Sequence, residues 1–414
     1  MNLPPVVAAL RKHVSGVVLI ALEIALTLAI VCNAVFIIGH RIEHVNQPTG
    51  LDENNLILVQ QQWVNAPVGS SKASLDKLDA MQLEDLAALR RLPGVADAAP
   101  VNSLPISGGG MGWPLTRKPL AKLARQSKPA WIYQTDQNGL ATLGLKLVAG
   151  RNFRADEVGR QLAANMYQPE VIITRALAQH LFPHGPALDH VVYLLGQGKP
   201  IRVVGIVARM QAPFAVPPGM DWNSAIFPQR DDTSQTMYAV RAQPGQMAAV
   251  MKRIKPALFK ANPMRVMPED SVLSFAAIRT RAYKGDVGMA IVMGVISLIL
   301  IAITGAGIMG LTSFWVGQRN KQIGIRRALG ARKVDILRYF QIENLIIAGL
   351  GAALGIILAV GLNLILMQHM AMPRLPVWIV VAAVVFVLVL GQLAVFLPAR
   401  RAANVPPVTA TRRV

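Results

Sequence analysis

The sequence predicts an α+β membrane protein: four transmembrane helices, with a large α/β-type extracytoplasmic domain between the first and the second. Three observations carry this expectation. The 414 residues are 53% hydrophobic and only 15% charged, less charge than a soluble chain of this size carries. Apolar residues gather into runs at 14–40, 285–317, 344–368 and 377–397, each long enough to cross a hydrocarbon core of about 30 Å. Between the first two runs, residues 41–284 contain no stretch that could span.

Residues 1–13 read as a cytoplasmic amphipathic lead, closed by Arg11 and Lys12. The first span, 14–40, is too long for a secretory signal and lacks a small-x-small cleavage site, so it is expected to stay as an anchor. Glu23 and Asn33 are its strongly polar members. An acid at that depth is either a proton-relay or gating residue, or a carboxyl near the inner boundary that is neutral or paired. Cys32 is the only cysteine, which excludes an intramolecular disulfide.

The 41–284 region reads as a folded domain. Strands are expected at 56–62, 171–174, 201–208 and 236–241, where β-branched and apolar residues cluster. Helical periodicity covers 74–92, ending at Pro93-Gly94, then 175–182 and 246–259, the last with Lys252, Arg253 and Lys255 on a solvated face. Gly108, Gly109 and Gly110 mark a flexible loop, not a phosphate cradle, because no GK[ST] follows. Two lobes are expected, divided near 113–133.

The second run contains Gly305, Gly307 and Gly310, and the third contains Gly351 and Gly355 at the GxxxG spacing. Small residues let helices approach closely, so these five are candidates for a helix-packing or dimer face. A turn at 369–376 with Pro373 and Pro376 separates the third and fourth runs, and 398–414 is a basic tail. Between the second and third runs, residues 319–338 hold seven Lys/Arg against the single acid Asp335. Lys and Arg are retained on the cytoplasmic side, which orients the chain: both termini and the 318–343 loop inside, the large domain outside. Isoleucine, leucine and alanine interleave with the arginines, so the loop reads as one or two short amphipathic helices broken near Gly330.

The net charge is +20. Residues 41–284 hold 28 Lys/Arg and 18 Asp/Glu, and the rest of the chain holds 14 and 4, mostly beside apolar runs. This pattern suits membrane orientation and anionic lipid, not nucleic acid, since no basic stripe interleaved with aromatics occurs. Walker A, HExxH and GxSxG motifs are all missing from these residues, and His180, His184 and His190 have no metal-ligand spacing. An enzyme is therefore not expected, nor a cofactor or metal bound by this chain.

Residues 322–332, QIGIRRALGAR, are similar to the EIGIRRALGAR signature of the FtsX/MacB-type permeases of ABC transporters, with Gln322 in place of the usual acid. Phe340 to Glu343 resembles the start of the family's third span, and Pro398-Ala-Arg-Arg-Ala-Ala with Pro407 resembles its ending. In the outer domain, Leu143-Gly144-Leu145 with Gly150 to Phe153, the strand-helix from Val171 to Phe182, and Arg202 to Val207 are similar to the MacB-like periplasmic core.

The resemblance implies a bacterial inner-membrane permease with a periplasmic core domain. ATP and Mg would be bound by a separate ABC ATPase dimer docking on Ile323, Ile325, Arg326, Arg327, Leu329, Gly330, Arg332 and Lys333. A second permease chain, identical or a sister, would complete the unit. Loop motion driven by ATP would reach the outer domain by mechanotransmission and expel peptides, antibiotics or other amphipathic cargo through a periplasmic adaptor and outer-membrane channel. The alternatives within the resemblance are a lipoprotein-release permease and a non-transporting FtsX-like regulator of a periplasmic hydrolase.

Overall fold

The computed structural model describes residues 14–404 apart from 65, 68–70, 120–126, 161–167, 197, 215–220, 231–232 and 371–372. The expected lead at 1–13 and the tail beyond 404 lie outside the described residues. In chain order the elements are α1 (Val14–Val45), β1 (Leu56–Trp63), α2 (Lys72–Arg90), β2 (Val95–Val101), β3 (Met111–Gly112), β4 (Leu115–Thr116), β5 (Trp131–Thr135) and α3 (Gly139–Leu143). They continue with β6 (Leu147–Gly150), β7 (Gly159–Arg160), β8 (Glu170–Thr174), α4 (Arg175–Leu181), β9 (Val191–Leu194), β10 (Ile201–Val207), β11 (Ser224–Arg230) and β12 (Gln235–Ala242). The last are α5 (Met247–Ala261), β13 (Arg265–Val266), β14 (Val272–Ser274), α6 (Phe275–Ala282), α7 (Lys284–Gln318), α8 (Asn320–Ala328), α9 (Lys333–Met370) and α10 (Val377–Ala403). Two compact units result: a helical one from residues 1–46 and 285–414, and a globular one from 47–284.

Among the described residues four helices are long and apolar enough to cross a membrane: α1, α7, α9 and α10. On α1 a buried stripe recurs every four residues, at Ile20, Ile24, Leu28, Cys32 and Phe36. It lies against α9, where glycines let the two backbones close up: a Cβ at Gly351 would sit 2.8 Å from the Ala21 carbonyl oxygen, and one at Gly355 2.8 Å from Leu28. Asn33 donates its amide to the Ala29 and Ala359 carbonyls, so this polar group is hydrogen-bonded inside the bundle. By contrast, α7 buries little of its 35-residue length: Ser297, Thr304, Ile308, Thr312, Trp315 and Val316. Its polar contacts with α1 include a 2.7 Å hydrogen bond between the Thr27 and Thr304 hydroxyls and, near its start, an ion pair of Asp286 with Arg41.

The globular unit has two sheets. In the first the order is β13-β1-β12-β2, with β14 also on β1, and every pairing is antiparallel. Its core joins Ile57, Val59, Tyr238 and Val240 to Leu86 and Leu89 of α2 and Val250, Ile254 and Leu258 of α5. The second sheet, β3-β5-β11-β8-β10-β9-β4, is mixed: β8 runs parallel to β10, and β5 parallel to β11. Its core centres on Ile132, Val171, Ile173, Leu177 and Phe227.

The division between lobes is displaced from the expected 113–133. The strands at Leu115–Thr116 and Trp131–Thr135 belong to the second sheet; the chain leaves the first sheet at Val101 and is back in it at Gln235. The strands β3 and β4 are two residues each, too short to show a period, so that stretch imitates a linker. The glycine loop is also pinned, not free. Ile106 and Gly108 donate to the Ala212 and Pro213 carbonyls, and Gly110 packs so closely on Pro213 that no side chain fits.

Candidate functional site

The candidate site is the elbow where α7 ends, α8 crosses and α9 begins. Arg319 stands at the bend, with φ −99° and ψ 7°. Its N–H donates to the Trp315 and Val316 carbonyls, and its own carbonyl accepts from Ile323. Nine residues later, at Ala328, α8 stops at a glycine-dependent cap. Gly330 has φ +101°, Gly330 N–H donates to the Arg327 carbonyl, and Ala331 N–H reaches back to Arg326. This hydrogen-bond pair closes a helix through a left-handed residue, which glycine adopts without steric cost. Asp335 then accepts from Arg332 N–H at 2.9 Å and opens α9.

Helix α9 begins at Lys333, so the expected 318–343 loop is shorter than the sequence reading made it. Residues 333–343 are the first turns of the third long helix. They are helical because Ile336 and Phe340 are buried in the cluster that also holds Ile323, Ala399, Ala402 and Ala403.

The eight expected docking residues separate by burial. Ile323 is buried and supports α8 from beneath, so it is removed from the docking set: its apolar side chain is spent on the bundle core. Arg327 is half-buried and donates to the Ala403 carbonyl at 3.1 Å, capping the end of α10. On the outer side Leu329 is 83% exposed, next to exposed Ile325, Arg326, Gly330, Arg332 and Lys333. The Arg326 guanidinium lies 5.2 Å over the Tyr339 ring, which holds it against α9. An apolar ridge with a cationic rim is thus displayed on a firmly packed base.

Of the glycines proposed for packing, Gly351 and Gly355 are occupied by α1 of the same chain, and Gly307 abuts the Glu23 carboxylate, 2.6 Å from the position of a Cβ. A Cβ at Gly305 or Gly310 would meet nothing within 4 Å. Sequence reasoning missed Arg319, Tyr339 and Glu343, which lie behind the exposed ridge and shape the elbow without forming its surface. The readable signal was Glu343, an acid at the head of an apolar run with an arginine across the loop.

Residues 18–257 match the family model of the MacB-like periplasmic core domain, and residues 294–407 match that of the FtsX-like permease C-terminal domain. The macrolide export ATP-binding/permease protein MacB of Chromobacterium violaceum is 25% identical over 279 residues, which are 65% of this chain and 41% of that protein. The pyoverdine export ATP-binding/permease protein PvdT of Pseudomonas syringae is 27% identical over 343 residues, 79% of this chain and 48% of that one. The chain spans a little under half the length of these curated relatives. The crystal structure of the periplasmic region of MacB from Actinobacillus actinomycetemcomitans aligns over 58% of this chain and 97% of its own, at 13% identity and a TM-score of 0.34.

Proposed function

The chain belongs to the MacB/FtsX-type permeases, and on that premise we propose that it is the membrane subunit of an ABC-type export system, driven by an ATPase dimer that docks on the α8–α9 elbow. The observation that carries this reading is Leu329, 83% exposed on the glycine-capped turn that ends α8. Arg332 and Lys333 beside it have no ion-pair partner among the described residues. An apolar anchor beside two unpaired cations suits an acidic-rimmed pocket on a partner. ATP and Mg are held by that partner; this chain supplies the lever.

In this reading two permease chains, identical or sister, sit on one ATPase dimer. Closure of the ATPases moves α8, and α7 carries the motion along the chain toward the globular unit. Buried polar groups in the spans are few, and Thr27, Thr304, Asn33 and Glu343 are spent on hydrogen bonds within the bundle. The polar groups buried among the described residues of the spans, Asn344 and Asn363 included, are scattered over three helices and do not line one path, which favours expulsion from the side of the globular unit, through an adaptor and an outer-membrane channel. The excess of Lys/Arg around the elbow supports placing it in the cytoplasm and the globular unit in the periplasm of an inner-membrane protein. The cargo class is amphipathic small molecules or peptides, in keeping with the macrolide and pyoverdine exporters it resembles.

The test is co-purification of ATP hydrolysis with the detergent-solubilised chain. Leu329→Asp should lower the associated hydrolysis by about tenfold or more, the usual effect of losing an interface anchor. Wild-type levels of hydrolysis and export in that variant would place the docking surface elsewhere.

A further inference from the structure

We propose that Arg319 and Glu343 form the pivot of the elbow, the fixed point about which α8 turns when it is moved; this rests on the docking reading above for its use, but not for its geometry. One guanidinium nitrogen of Arg319 donates to both Glu343 carboxylate oxygens, at 2.9 and 2.8 Å. The side chains are 11% and 3% exposed. Arg319 is shared by two helices: its N–H completes the last turn of α7, and its carbonyl accepts from Ile323 in the first turn of α8. Glu343 belongs to α9, a helix seated against α1 and α10. The pair thus joins the bend itself to the best-packed part of the bundle.

What makes this attachment matter is its place: the Arg41–Asp286 ion pair and the Thr27–Thr304 hydrogen bond hold α7 to α1 farther from the elbow. Near this end its buried residues are Thr312, Trp315 and Val316, with the Trp315 ring 2.9 Å from where a Cβ on Gly16 would lie. Packing against a helix is spread over many weak contacts and fixes no single point sharply. An ion pair with two short hydrogen bonds is directional, and separating its members strands a desolvated charge. A buried ion pair is a poor choice for stability alone, since apolar packing does as well. Its value is positional. With the point at Arg319 fixed, movement of α8 is converted into rotation of α7; without it the same movement is absorbed as play in the bend.

The experiment uses the full chain with Cys32→Ser and spin labels at the exposed positions Lys321→Cys and Arg338→Cys, which report α8 against α9. The parent should give one narrow distance distribution. Arg319→Ala and Glu343→Gln should each add a second population, displaced by about 5 Å, one helical turn. The exchanged pair Arg319→Glu/Glu343→Arg should restore a single narrow population, which a merely space-filling role would not do. Arg319→Lys, which keeps the charge with a different donor geometry, covers the case in which Arg319→Ala fails to insert, and should broaden the distribution. Unchanged distributions in the inserted single variants, or an exchanged pair as broad as the singles, would overturn the pivot. In the complex that hydrolyses ATP, the single variants should keep hydrolysis while export falls about tenfold. Loss of hydrolysis together with export would instead assign the pair to docking and overturn its positioning role. If no hydrolysis accompanies even the parent chain, the docking reading fails and the distances alone decide the pivot.

Discussion

Arg265 and Asp85 meet inside the first sheet's core as a two-pronged ion pair, 2.7 and 2.8 Å, with side chains 0% and 1% exposed. Asp85 also accepts from the Tyr238 hydroxyl at 3.0 Å and from Gln61 at 3.4 Å. The carboxylate is therefore fully used, and burial, followed by the nearby Asp85 charge, pushes the Tyr238 phenol well above its ordinary value. Removing one partner leaves the other charged and dry. Arg265→Ala should destabilise the globular unit by about 3–5 kcal/mol, whereas the apolar pair Arg265→Met/Asp85→Leu should come within about 1–2 kcal/mol of the parent. Chemical unfolding followed by the fluorescence of Trp63, a buried residue at the end of β1, distinguishes the two.

Gly351 and Gly355 set the separation of α1 and α9. Each contact leaves no room for a methyl group, the obstacles being the Ala21 and Ala25 carbonyl oxygens with Ile24 and Leu28. Gly355→Val should cost about 1–3 kcal/mol through forced separation of the helices, read as a lowered melting temperature in detergent. Gly310→Ala, where nothing lies within 4 Å, should leave the melting temperature of the single chain unchanged. A drop in the oligomeric state of Gly310→Leu without a change in melting would mark that glycine as an intermolecular contact.

Acid should loosen the segment at the start of the globular unit. Burial tends to raise the Glu53 carboxyl, but Arg279, at 2.6 and 2.9 Å, and Thr49 outweigh it and hold Glu53 below the usual carboxylate value. A carboxyl held low stabilises the fold at pH above the unfolded value, and this contribution disappears as pH falls through the folded one. Glu157 behaves alike: the Arg151 hydrogen bonds dominate and hold it low. Stability measured from pH 7 downward should therefore decline more steeply in the parent than in Glu53→Gln. Equal slopes would mean that this pair carries none of the acid sensitivity.

The bilayer makes the four spans legible in the sequence, because its thickness imposes a minimum apolar length that no other feature of this chain imitates. The glycine break in the elbow was also readable, since position 330 needs φ +101° and only a glycine does this freely. The start of α9 was not. Residues 333–343 carry Lys333, Asp335 and Arg338, so hydropathy ends the span at 344, while Ile336 and Phe340 prolong the helix by packing beneath α8. Glu343 reads as a boundary residue until its partner, 24 positions earlier, is seen beside it. The GxxxG spacing at Gly351 and Gly355 announced close packing, but only the fold could say that α1 of the same chain is what packs there.

Burial divides the arginines of the elbow into two kinds, and charge reversal should separate them. Arg327 donates to the Ala403 carbonyl at the end of α10, where a cation also opposes the negative end of the helix. Arg327→Glu places a like charge at that end and loses the hydrogen bond, so it should lower the melting temperature of the solubilised chain by an amount equivalent to about 1–2 kcal/mol. Arg332 is exposed, and its side chain has no partner among the described residues, so Arg332→Glu should leave melting within about 0.5 kcal/mol of the parent. Its effect should appear only as weakened association with the proposed nucleotide-hydrolysing partner, and more strongly at low salt, where a rim charge acts over a longer range. A double reversal of Arg326 and Arg327 would confuse the two effects, because it disturbs α10 while it alters the surface. Measured singly, melting and association should move independently; if Arg332→Glu melts early, the exposed ridge is part of the fold and not a surface kept for a partner.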